Sequence, residues 1–122
     1  MNFALAAASG LMLALIFPRF NLVWLAPAAL APLLVAAARE RSSRGRFLLG
    51  AVAGIVFWFG VCYWIQFVLA LHGGLGETGG WAVFMLFCAA KALHMGVFAW
   101  LAGFLVNSPF SPPALAALWV AI

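Results

Sequence analysis

Residues 47–71 read Phe-Leu-Leu-Gly-Ala-Val-Ala-Gly-Ile-Val-Phe-Trp-Phe-Gly-Val-Cys-Tyr-Trp-Ile-Gln-Phe-Val-Leu-Ala-Leu, without one ionisable side chain that is charged at neutral pH. Residues 81–106 form a second such run, interrupted only by Lys91 and His94. A bilayer core about 30 Å thick is crossed by roughly 20 apolar residues in a helix, and both runs exceed that length. A water-soluble helix would instead show a polar face recurring every three or four positions. These two runs decide the class: the chain is all-α and built around transmembrane helices.

Composition agrees. Of 122 residues, 69% are hydrophobic and 7% are charged, against roughly 25% charged in soluble domains. Mean hydropathy is +1.21. The net charge of +4 does not describe a nucleic-acid binder, because four of the six basic residues, Arg39, Arg41, Arg44 and Arg46, fall in one short stretch between apolar runs. The positive-inside rule places that stretch in the cytoplasm, where it can also touch anionic lipid. Cys62 and Cys88 both lie inside apolar runs. No Cys-x-x-Cys or Cys/His cluster accompanies them, so the expectation is no metal and no cofactor. A secretory signal peptide is disfavoured because no basic residue precedes the first apolar run.

Working outward gives a polytopic transmembrane helix bundle of four helices plus the start of a fifth, approximately 3–17, 22–38, 47–71, 81–106 and 114–122. The first two are short for a perpendicular span: fifteen residues reach about 23 Å, leaving flanking aromatics and bilayer thinning, or a helical hairpin entering from one side, to make up the length. Pro18 breaks the first run and Pro27 and Pro32 lie inside the second. Gly50 and Gly54 form a GxxxG pair that permits close helix approach. The glycine-rich stretch at 72–80 reads as a flexible connector, since it lacks the Gly-Lys-Ser/Thr ending of a phosphate-binding loop. The last apolar run is too short to cross, so the expectation is an N-terminal fragment of a longer protein. The N-terminus and the Arg-rich stretch are then cytoplasmic, and residues 72–80, without Lys or Arg, face outward.

Lys91 and His94 are three residues apart and share a helix face. A lysine near the middle of a span is costly, and an ionisable residue there is a candidate functional site. A partner inside the bundle and a contact with lipid or substrate are both open to the pair.

Four blocks, in order, carry a family resemblance. They are Ala-Ser-Gly-Leu followed by Phe-Pro-Arg-Phe-Asn-Leu-Val-Trp-Leu-Ala-Pro at 17–27, Ala-Pro-Leu-Leu at 31–34 before the basic stretch, Phe47 to Gly50 leading through Gly54, Phe57 and Gly60 to Tyr63-Trp64-Ile65, and Gly73-Gly74 before a helix containing Val-Phe-Ala-Trp-Leu at 97–101. Together they resemble the N-terminal membrane region of apolipoprotein N-acyltransferase, over essentially the whole chain. The resemblance implies a bacterial inner-membrane protein of about eight helices, with a nitrilase-like domain carrying a Glu-Lys-Cys triad. It implies transfer of an acyl chain from phospholipid, through a cysteine thioester, to the amine of an N-terminal diacylglyceryl-cysteine in lipoprotein biosynthesis. The implied partners are that phospholipid donor, the lipoprotein acceptor and membrane lipids, with no nucleic acid. No triad residue has a counterpart among these 122 residues, so no catalytic residue is expected in this chain. Lys91 and His94 depart from the mostly apolar or aromatic family pattern. The alternative reading is a small membrane transport or ligand-binding protein that uses that pair; a purely structural membrane subunit is a third.

Overall fold

The computed structural model describes all 122 residues and contains helices and turns only. In chain order the helices are α1 (Asn2–Ile16), α2 (Ala31–Arg39), α3 (Ser43–Cys62), α4 (Ile65–Leu71), α5 (Gly76–Leu105) and α6 (Ser111–Ala121), with a short 3-10 turn at Val23–Leu25. Only α3 and α5 are long and apolar enough to cross a membrane. Only 28% of the most apolar window of α3 and 39% of that of α5 is buried. A soluble core helix would hide that surface. Here Leu86 is 70% exposed, Phe104 57%, Leu93 54% and Leu48 52%, an apolar exterior suited to lipid.

The structure differs from the sequence expectation in three places. No continuous helix covers 22–38. Pro27 and Pro32 each lack an amide donor, and the segment resolves into the 3-10 turn, further turns at 26–30, and the nine-residue α2 with proline in its first turn. It still returns along α1. Leu22 donates to the Leu15 carbonyl at one end, and the Ser9 hydroxyl donates to the Ala29 carbonyl midway. The expected helix over 47–71 is divided between α3 and α4 at Tyr63–Trp64, and its start moves back to Ser43, where the Ser42 hydroxyl caps the helix by accepting from the Gly45 amide at 3.4 Å. Tyr63 and Trp64 keep right-handed helical dihedrals, so the chain tightens there without reversing, and the Trp64 carbonyl is shared by the amides of Phe67 and Val68.

The third difference is the glycine-rich stretch. Only residues 72–75 lie outside helices; Gly76 to Gly80 open α5. Gly74 and Gly76 take left-handed φ values of 66° and 67°, which glycine adopts without a Cβ penalty. A Cβ on Gly80 would stand 2.6 Å from the Gln66 carbonyl oxygen. Gly74 and Gly76 thus serve the turn, and Gly80 serves the close antiparallel packing of α4 on α5.

Helix α3 is central, running parallel to α1 and antiparallel to α5. Gly50 and Gly54 face α5: a Cβ at 54 would lie 2.8 Å from the Ala92 Cα, and one at 50 would meet the Met95 carbonyl and, at 2.6 Å, the Ala99 Cβ. On its other flank α3 receives Gly10 of α1, where a Cβ would lie 3.0 Å from that of Val56. The fully buried Leu33, Leu49, Ala53 and Phe98 close the core among α1, α2, α3 and α5. Cys62, Phe84 and Cys88 make a smaller cluster toward the other end. Pro112 and Pro113 sit in the first turn of α6, where a missing amide costs nothing.

Candidate functional site

Helix α5 is 30 residues long, about 45 Å, and Lys91 lies at its midpoint, some 22 Å from either end. That distance exceeds what a lysine side chain can snorkel. Lys91 is half-buried and His94 exposed. Both line one cavity of about 290 Å³, walled by Phe57 and Trp58 of α3 and by Phe98 and Trp119. The Lys91 ammonium stands 5.4 Å from the centroid of the Trp58 ring, within cation–π range. The chain has two carboxylates, Glu40 and Glu77. Glu40 sits at the α2–α3 connection, where it accepts from the Ser42 amide, and Glu77 lies fourteen positions before Lys91, about 21 Å along α5. Lys91 thus faces an aromatic ring and a cavity, with neither glutamate of residues 1–122 beside it.

The shared face expected of Lys91 and His94 is what brings both to that cavity. Trp58 was not legible from spacing alone. Its place follows from the glycine contacts: Gly54 opposite Ala92 in an antiparallel pair sets Trp58, one turn further on, near the level of Cys88, within reach of a long side chain at 91.

The four arginines of the basic stretch divide into two kinds. Arg39, Arg41 and Arg44 are exposed. Arg46 is half-buried, and its Nε donates to the carbonyl oxygens of Glu40 at 2.8 Å and Ala37 at 3.2 Å. These are carbonyls at the C-terminal end of α2, where a cation complements both the unpaired acceptors and the helix dipole. The same guanidinium lies 5.3 Å from the Phe104 ring near the end of α5. Arg46 thus bolts α2, α3 and α5 together at the basic end of the bundle. Its position inside an arginine cluster concealed this role.

Cys62 and Cys88 are unpaired and buried, and neither lines the Lys91 cavity.

Comparison with known proteins fits this architecture. The family model described as the apolipoprotein N-acyltransferase N-terminal domain matches residues 9–122. A curated relative, the apolipoprotein N-acyltransferase of Geobacter metallireducens, is 36% identical over 100 residues. The alignment covers 82% of this chain and 19% of that protein, so the chain spans about a fifth of the relative's length. No solved structure matches. By its match over 9–122, this chain belongs to the apolipoprotein N-acyltransferase family and carries its N-terminal domain.

Proposed function

We propose that these residues form the membrane platform of an enzyme that moves an acyl chain from phospholipid to the N-terminal diacylglyceryl-cysteine of lipoproteins. In the expected reaction a cysteine thiolate attacks a phospholipid ester. The thioester forms as lysophospholipid leaves; the acceptor's α-amine then attacks the thioester and releases the thiol. The family match over residues 9–122 carries the reading. Cys62 and Cys88 are poor candidates for that thiolate, being buried between α3 and α5. Catalysis therefore falls to residues outside 1–122. The platform lies in the bacterial inner membrane, crosses it more than once, and keeps its N-terminus and arginine-rich end in the cytoplasm, as the distribution of Arg39, Arg41, Arg44 and Arg46 supports.

The test is acyl transfer from phospholipid to a diacylglyceryl peptide. The full natural chain should give the N-acylated product. Residues 1–122 alone should give none, and product above a no-protein control would overturn the assignment of catalysis elsewhere.

A second reading, a membrane protein that binds or transports a small ligand, draws on one observation: Lys91 and His94 line the same cavity. Saturable, Lys91-dependent ligand uptake without any acyl transfer by the full natural chain would favour it.

A further inference from the structure

At the end of the bundle opposite the arginine cluster stands a single arginine. Residues 17–21 form a tight turn in which the amides of Phe20 and Asn21 both donate to the Phe17 carbonyl, at 3.0 and 2.9 Å. Asn21 takes a φ of 54°, a left-handed conformation that asparagine tolerates better than most residues. Phe17 packs edge-on against Phe57 of α3, with ring centroids 5.6 Å apart, so the turn is anchored to the central helix. Arg19 is exposed at its tip. Its guanidinium lies 4.9 Å from the Tyr63 ring centroid and 5.7 Å from that of Phe20, and it donates to the Tyr63 hydroxyl.

Neither glutamate of residues 1–122 pairs with this arginine. The cleft it lines contains no carboxylate. The positive-inside rule gives no reason for a lone arginine at this end, since Arg39, Arg41, Arg44 and Arg46 already set the opposite polarity. The guanidinium is a planar fork with several donors, matched to phosphate oxygens, and Tyr63 accepts only one of them. Stacking between Phe20 and Tyr63 holds the fork in place, which lowers the ordering cost of binding. Beside it opens a cleft of about 300 Å³ with an apolar floor of Ala14, Gly60 and Val61 and an aromatic rim that includes Trp64. Trp64 is 55% exposed and Phe20 50%. Aromatic side chains at the ends of membrane helices mark the headgroup level, where lipid phosphates lie.

We propose that this cleft is a binding site for a membrane phospholipid, with Arg19 as the phosphate ligand, Tyr63 as the residue that positions it, and the floor at Ala14, Gly60 and Val61 receiving the start of an acyl chain. The proposal rests on the membrane placement above and not on the acyl-transfer reading. Gly60 is part of the fit: a Cβ there would lie 3.0 Å from that of Ala14, so any larger side chain would rise into the floor.

The experiment is native mass spectrometry of the full natural chain, delipidated in detergent and titrated with phosphatidylglycerol, phosphatidylethanolamine or diacylglycerol. Both phosphate-bearing lipids should bind one molecule more tightly than diacylglycerol. Arg19→Gln should weaken that binding by about tenfold or more, the loss expected of a charge-assisted contact. Arg19→Lys, which keeps the charge and loses the fork, should fall between, and Tyr63→Phe should weaken binding severalfold. Millimolar inorganic phosphate should not displace the lipid. Equal phospholipid binding by wild type and Arg19→Gln would overturn the proposal, as would diacylglycerol binding as tight as the phospholipids. Displacement by inorganic phosphate alone would overturn it in favour of a simple anion site. Should Arg19→Gln fail to fold, the wild-type lipid comparison and Arg19→Lys decide the matter alone. Acyl transfer is not a readout here, and a donor phospholipid held by catalytic residues outside 1–122 would persist in Arg19→Gln, so the molecule that counts is the one this variant loses.

Discussion

Gly54 of α3 lies so close to Ala92 of α5 that a Cβ on the glycine would stand 2.8 Å from the alanine Cα. In lipid the hydrophobic effect does not drive helices together, and close backbone approach through small residues does much of that work. Gly50, one turn earlier, meets the Met95 carbonyl and Ala99 in the same seam. The seam sets the rotation of α5 about its axis, and so sets which face carries Lys91.

The first prediction concerns this seam. Gly50→Val and Gly54→Val should each destabilise the protein by about 1–3 kcal/mol or more, the usual cost of overpacking. Gly60→Ala, whose new Cβ meets only that of Ala14, at 3.0 Å, should cost less than either. Unfolding in mixed micelles with increasing sodium dodecyl sulfate ranks the three, and an equal or larger loss for Gly60→Ala would refute the placement of the seam.

Topology gives the second. Ser43 and Thr78 are both exposed, at the starts of α3 and α5 respectively. With Cys62 and Cys88 replaced by alanine, a cysteine at 78 should react with an impermeant thiol reagent added outside intact cells, and one at 43 should not. Labelling at 43 and not at 78 would reverse the assigned orientation.

Arg46 supplies the third. Arg46→Lys keeps a positive charge at the basic end but loses the Nε donor that reaches the Ala37 and Glu40 carbonyls. The labelling pattern should stay the same while stability falls by about 1–2 kcal/mol, since carbonyls at the end of α2 lose a charged donor. Arg41→Lys, at an exposed position, should move stability by no more than about 0.5 kcal/mol. Equal effects at 41 and 46 would show that Arg46 acts only as one charge among several.

The fourth prediction tests the contact between Lys91 and Trp58. A double-mutant cycle with Lys91→Met and Trp58→Leu should return a coupling of about 0.5–2 kcal/mol, the range for a cation–π pair that includes desolvated sites. Trp58→Leu alone should destabilise, because it strips the ammonium of its one aromatic partner. Lys91→Met alone should be better tolerated, because it removes the half-buried charge along with the contact. Strict additivity of the two changes would show that the ring and the ammonium do not interact.

A fifth prediction rests on Ser9, which is fully buried and donates to the Ala29 carbonyl. Ser9→Ala should cost about 1–3 kcal/mol, since it leaves a buried carbonyl without its donor. Cysteine at Ser9 fills nearly the same space with a weaker donor and should recover only part of the loss. Full stability in Ser9→Ala would show that the segment between α1 and α2 is held by packing alone.

Much of this molecule was legible in its linear pattern. The apolar runs at 47–71 and 81–106, the second broken only by Lys91 and His94, announced the long helices α3 and α5, because a polar group inside a bilayer is too costly to be scattered at random. The ordered blocks from Ala8 to Leu101 pointed to the family. The three-residue spacing of Lys91 and His94 put them on one helical face; that a cavity opens there came from the fold.

Other features depended on contacts between residues far apart in the chain, which no local spacing encodes. Pro27 and Pro32 announced an interruption, but only the hydrogen bond from Ser9 to Ala29 shows how the broken segment lies along α1. The glycine-rich stretch at 72–80 read as looseness until α4 was seen packed against Gly80. Arg46 looked like one more cytoplasmic charge until α2 and α5 met at its guanidinium. Arg19 looked incidental until Tyr63, forty-four positions away, closed over it. The sequence by itself determined which segments leave water, because that follows from composition over twenty residues. The tertiary structure decided which faces meet, because that depends on where single Cβ atoms are missing and on which donor reaches which carbonyl.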